Sequence, residues 1–300
     1  MSTITKHPAE PVAHDYLSLT VGLGNLDSLS KYFTRDSLSE ILLAAGRKWS
    51  AGDGHNFSQS ARAIVFAPHP DDEVLGCGGT IALKVMAGSD VRVVVMTDGR
   101  TSHAKFVDAP TLIQMRRQEA LEAAKHLGLE PSDYIFLDFE DQHLREHTSQ
   151  ARQRVVDMLQ QSEPEQVFVP HRHDRLSDHM ATFKIVASAL RVYNKKITLL
   201  EYPVWLWNTW PWTGSWRGED SRLLRGPRLL RDGAELAFGC NTRIDIRPVL
   251  RHKVDALAEY RSQMQRWHND PRWPILSDVS SGTFLARFLT GMEIFRQTKY

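Results

Sequence analysis

The chain has 300 residues, 42% hydrophobic and 24% charged, which suits one large globular domain or two small ones and excludes a disordered or fibrous chain. Lys plus Arg number 37 against 36 for Asp plus Glu, a formal net charge of +1, so no electrostatic case exists for a nucleic-acid partner or a polybasic membrane anchor. Two cysteines, Cys77 and Cys240, are too few for a disulfide framework or a cysteine-built zinc module.

The first sixty residues predict an N-terminal extension of polar connections with one helix, SLSEILLAAGRKW, capped by Asp36 or Ser37 with Glu40 in its first turn. MSTITKHPAEPVAHDYLSL lacks the continuous apolar run of a signal peptide, and no stretch reaches the roughly 18–20 apolar residues of a spanning helix. The expectation is a cytoplasmic chain without an integral membrane segment.

From residue 61 short apolar strands alternate with helix-length segments: strands at 61–67, 91–97, 134–139, 166–170 and 197–205, and helices through 78–88, 111–128, 151–161 and 179–193. That alternation predicts an α/β fold, a Rossmann-like, mostly parallel sheet with helices on both faces. Residues 206–300 predict a C-terminal, aromatic-rich subdomain packed on this core, with helices at 247–265 and 281–297. Five of the eight tryptophans fall between Trp205 and Trp216, a segment read as packing or interface, or else as a sugar-stacking wall. The same aromatic region offers a surface for homo-oligomerisation. The basic run from Arg222 to Arg231 reads as a solvated face or an anionic-sugar contact.

Ligands of open α/β sheets bind beyond the carboxyl ends of the strands, so the residues after each strand carry the search. The first strand is followed by His69-Pro70-Asp71-Asp72-Glu73, one imidazole and three carboxylates in five residues. Without a cation, carboxylates brought together raise at least one pKa by mutual repulsion; a divalent metal removes that penalty. The alternative is a polar helix start whose acids complement the macrodipole. After QVFVP comes a second cluster, His171-Arg172-His173-Asp174-Arg175-Leu176-Ser177-Asp178-His179, from which His179 is the expected further ligand, with Asp178 beside it as support. The glycines after Val74-Leu75 lack the GK[ST] ending and the GxGxxG order of phosphate-binding loops. Cys77 reads as a small core residue.

HPDDEVLGCGG with a distant DH after P-x-x-x-D resembles the LmbE/PIG-L family of zinc-dependent N-acetylglucosaminyl deacetylases. The resemblance covers roughly 61–300. It includes Thr97-Asp98-Gly99 with Ser102-His103, the Arg116/Glu119 pair, FEDQHL at 139–144 and, less diagnostically, EYPVW and AEYRSQ. It implies one zinc held by His69, Asp72 and His179, with Asp71 as general base and Arg116 and Asp141 toward the sugar. The substrate implied is a small amino sugar or glycoconjugate. The family's D-x-H-x-D-H has Leu176 in place of its upstream histidine, so His171, His173 or Arg175 is expected to supply the oxyanion or acid help. The competing reading is a catalytically weak metal- and sugar-binding or regulatory member of the same family.

Overall fold

The computed structural model describes residues 57–209, 212–213 and 231–300. The helix expected in the N-terminal extension, Trp210, Trp216 and most of the Arg222–Arg231 run lie outside these residues.

Strands β1 (Ala63–Ala67), β2 (Val91–Thr97), β3 (Tyr134–Phe139), β4 (Gln166–Pro170), β5 (Thr198–Tyr202), β6 (Thr242–Asp245) and β7 (Met292–Lys299) form one sheet in the order β3-β2-β1-β4-β5-β7-β6. The first five run parallel; β7 pairs antiparallel with both β5 and β6. The crossovers are helices α1 (Asp72–Met86), α2 (Ala109–His126), α3 (Thr148–Ser162) and α4 (Ser177–Tyr193). Helices α5 (Leu250–Glu259), α6 (Arg261–Met264) and α7 (Thr283–Ala286) follow in the C-terminal part.

All five residues of β1 are buried because both faces of the sheet are covered. Alternate side chains feed separate cores: Ala63 and Val65 join a cluster with α1, α2 and α5, while Ile64 and Phe66 join one with α3 and α4. The first cluster also takes in Leu250, Phe284 and Phe295, so the C-terminal residues share the core of the first strands. Cys77 is buried within it, and Trp207 and Trp212 meet edge to face at 5.5 Å, an arrangement of packing.

The helix expected through 281–297 is corrected. Only Thr283–Ala286 is α-helical, and Met292–Lys299 is the strand β7. Local preference in MEIFRQTK is ambiguous, and the free edge of β5 decides it, pairing Leu199 with Thr298 and Leu200 with Gln297. No helix among the described residues is long and apolar enough to cross a membrane.

Strand order reverses at β1, whose neighbours are β2 on one side and β4 on the other. The crevice beyond the carboxyl ends of β1 and β4 is therefore where this topology opens a binding site.

Candidate metal centre

The two clusters singled out from the sequence meet in that crevice. His69 Nδ1 lies 3.2 Å from Asp72 Oδ2, and His179 Nε2 lies 3.2 Å from the same oxygen. His69, Asp72 and His179 each offer a ligand atom within 4.8 Å of the other two. His179 Nε2 is buried and makes no hydrogen bond. Two imidazoles and a carboxylate around one such orphaned nitrogen fit a divalent cation.

The backbone brings these groups together through a distorted helix start. Asp72 N–H donates to the His69 carbonyl at 3.3 Å and His69 N–H to Asp72 Oδ2 at 3.0 Å, closing a tight turn after β1. Helix α1 is kinked at Cys77 (φ −149°, ψ 21°). A kink there frees the Leu75 carbonyl and the Gly79 and Thr80 amides from their helical partners. A buried ion pair takes both ends: Lys253 Nζ donates to the Leu75 carbonyl at 2.9 Å, and Glu293 accepts from Gly79 N–H at 2.9 Å and Thr80 N–H at 2.8 Å. Gly76 and Gly79 are required by close approach, since a Cβ would stand 2.1 Å from the Tyr202 ring and 2.7 Å from Ile246.

Second partners fix each imidazole. His179 Nδ1 lies 3.2 Å from Asp174 Oδ2, which also accepts the Val204 N–H at 3.1 Å. The expectation that Asp178 supports His179 is thereby corrected: Asp178 Oδ2 lies 3.4 Å from His69 Nε2 and accepts the Gln142 N–H at 2.6 Å. Asp141 Oδ1 is 3.1 Å from the same ring nitrogen, while Asp141 Oδ2 accepts from Thr101 N–H at 3.0 Å and Thr101 Oγ1 at 2.6 Å. Both Asp141 oxygens, expected toward a sugar, are thus occupied within the protein. Carboxylates behind imidazoles in this way set ring orientation and basicity.

Asp71 stands beside the three, buried, with Oδ2 3.1 Å from Arg116 Nη2. Arg116 also donates to the Pro70 carbonyl and is itself buried, and its buried Nε makes no hydrogen bond. Burial pushes the Asp71 carboxyl up to about 7, with Asp72 and Glu73 pushing the same way and Arg116 pulling against them. Burial would also raise Asp72, yet the neighbouring charge of His179 and the hydrogen bond and charge of His69 hold it well below the usual carboxylate range. Burial disfavours charge on His179, but Asp72 and Asp174 outweigh it and raise the imidazole to about 9. His69 is raised likewise, against burial, by hydrogen bonds to Asp141, Asp178 and Asp72.

The three expected helpers are placed differently from one another. Both ring nitrogens of the buried His171 are taken, Nε2 lying 3.3 Å from Glu235 Oε1 and Nδ1 accepting the His173 N–H at 3.1 Å. Arg175 pairs with Asp232 at 3.1 Å. His173 keeps a buried Nδ1 without a partner. Leu176 is 38% exposed. His103 is buried, stacked on Trp273 at 4.1 Å, with Nε2 2.8 Å from the Pro274 carbonyl.

The sequence reading did not single out Asp174 or Glu73 for a role. Asp174 lies in the quoted P-x-x-x-D spacing, and Glu73 is the third acid of the first cluster, whose buried carboxylate accepts hydrogen bonds from Tyr134 and Tyr260.

Comparison with known proteins bears on this geometry. The profile of the family described as PIG-L: GlcNAc-PI de-N-acetylase matches residues 64–190. A diacetylchitobiose deacetylase of Thermococcus kodakarensis is 31% identical over 115 residues, 38% of this chain and 42% of that protein. A probable N-acetyl-alpha-D-glucosaminyl L-malate deacetylase 2 of Bacillus cereus is 28% identical over 214 residues, 69% of this chain and 86% of the relative. Among solved structures, an N,N'-diacetylchitobiose deacetylase from Pyrococcus horikoshii superposes with a TM-score of 0.57 at 20% identity. That match covers 88% of this chain and 93% of the other.

Proposed function

We propose that this chain, a member of the PIG-L/LmbE family through residues 64–190, is a zinc-dependent hydrolase that removes the N-acetyl group from an amino sugar or a glycoconjugate containing one. One observation carries the reading: the buried carboxylate of Asp71, held by Arg116, stands beside the His69–Asp72–His179 donor set. The deacetylases of Thermococcus kodakarensis and Bacillus cereus named above support the substrate class.

In this reading His69, Asp72 and His179 hold the ion, with Asp174 fixing the His179 ring and Asp141 and Asp178 the His69 ring. Zinc bound there supplies Lewis-acid polarisation of the acetamide carbonyl and brings the pKa of water to about 7. Asp71, ionised, takes a proton from the attacking water and returns it to the leaving nitrogen as the C–N bond breaks. Water and amide thus become acetate and a free amine. Arg116 acts through Asp71, whose carboxylate it holds at 3.1 Å.

A specific observation favours a second reading, a metal- and sugar-binding member with weak turnover. Leu176 offers no imidazole, and His171 and Arg175 are engaged with Glu235 and Asp232. Of the expected helpers, His173 alone retains a ring nitrogen without a partner.

Acetate release from N-acetylglucosamine and N,N'-diacetylchitobiose, by zinc-loaded wild type and by Asp71→Ala, separates the two. Release by wild type, cut about 10²–10⁴-fold in the variant, supports the hydrolase with Asp71 as base. Stoichiometric zinc and sugar-induced quenching of tryptophan fluorescence with no release support the binding reading.

A further inference from the structure

Asp71 has φ 124° and ψ −28°, a left-handed backbone that L-residues adopt only where the surroundings over-determine it. The group that does so is Glu73. Its carboxylate is fully buried and divides its two oxygens: Oε2 accepts the Asp71 N–H at 3.2 Å, and Oε1 accepts the Tyr134 hydroxyl at 3.3 Å and the Tyr260 hydroxyl. Tyr134 opens β3, and Tyr260 joins α5 to α6. An acid in the first turn of α1 would serve the helix dipole from the surface just as well. Burying it is costly, and the hydrogen bonds that offset the cost tie Asp71 to two remote elements.

We propose that Glu73, anchored by Tyr134 and Tyr260, is a positioning residue that holds the Asp71 backbone in its left-handed conformation and thereby directs the Asp71 carboxylate. This rests on the reading of Asp71 as the base. The Asp71 main chain is gripped by Glu73 and its side chain by Arg116. The backbone grip makes the geometry of the base depend on the C-terminal region, through the tyrosine of the AEYRSQ run. A proton acceptor displaced by about 1 Å loses on the order of 10²-fold in rate, so such a grip has a kinetic signature.

Tyr260→Phe removes one hydroxyl and keeps the ring, and Tyr134→Phe is its companion should the first fail to fold. Crystal structures of wild type and variant report Asp71 φ and the Asp71–Arg116 contact, without reference to activity. The expected result is an Asp71 that leaves positive φ or loses Arg116. For acetate release from N,N'-diacetylchitobiose, kcat falls about 10- to 100-fold while KM and bound zinc stay near wild type, and Tm falls by a few degrees because a buried carboxylate loses one donor. In an Asp71→Asn background the same replacement costs nothing further, because both changes act on one group. An unmoved Asp71 in the crystal structure overturns the proposal, as does an equal loss of rate in both backgrounds. Wild-type turnover by Asp71→Asn alone refutes the base instead, and the crystal structures then decide the positioning by themselves.

Discussion

Arg116 Nη2 and Asp71 Oδ2 lie 3.1 Å apart with both residues buried, so the guanidinium is the main counterweight to the burial that pushes Asp71 up to about 7. Replacing Arg116 by Gln removes the opposing charge and leaves the desolvation. The Asp71 pKa then rises, and a base that must be ionised to accept a proton is lost at a higher pH. The acid limb of kcat/KM is expected to move up by about one unit or more. A pH–rate profile checks this. A limb that stays in place would show that Arg116 does not hold the Asp71 charge.

Asp174 serves the centre through His179 alone among the proposed ligands, its Oδ2 being 3.2 Å from Nδ1. Asp174→Asn keeps the shape and an acceptor for the Val204 amide while removing the charge behind the ring. Zinc affinity is expected to fall about 10- to 100-fold, with little change in fold. Competition with a chromophoric chelator measures it, and an unchanged dissociation constant would remove Asp174 from the centre.

The strand ends were legible because short apolar runs of β-branched and aromatic residues marked them: 91–97, 134–139 and 166–170 match β2, β3 and β4 residue for residue. The chemistry-bearing clusters followed, since parallel topology forces both to one edge of the sheet. Side-chain direction was not legible. Asp174 and Asp178 flank the same turn, and only the path of the chain out of β4 decides that Asp174 meets His179 while Asp178 meets His69. The edge strand β7 was hidden because its residues suit a helix as well, and β6 has only four residues to show. The bond from Glu73 to Tyr260 spans 187 residues, a separation at which no spacing pattern operates.

Metal and protons compete for the same nitrogens. In the metal-free protein, the carboxylates beside His179 raise its pKa to about 9, against about 6.5 in an unfolded chain. A raised imidazole stabilises the fold fully below pH 6.5, and that contribution disappears as pH climbs through 9. Zinc requires the neutral ring, so its binding releases protons and tightens over the same interval. The Tm advantage of zinc-loaded over metal-free protein is therefore expected to widen from pH 6 to pH 9. Thermal scans at both pH values test it; an equal gap would mean that His179 is already neutral without metal.

Gly76 tests whether the close approach of α1 to β5 sustains the turn. A Cβ there would sit 2.1 Å from Tyr202 Cδ2, and the tyrosine cannot swing aside without giving up its 2.7 Å hydrogen bond to the Phe66 carbonyl. Gly76→Ala is expected to cost about 1–3 kcal/mol in overpacking. Gly88 is the control, because it has φ +76° with nothing within 4 Å of its would-be Cβ, so Gly88→Ala carries only backbone strain of about 1–2 kcal/mol. The discriminating readout is the centre. Tyr202 forms the end of β5, whose carbonyl takes the His171 amide at 2.8 Å, so displacing it disturbs the loop that carries Asp174. Zinc affinity should weaken in Gly76→Ala and stay unchanged in Gly88→Ala at matched fractions folded, and equal affinities would uncouple the helix contact from the metal centre.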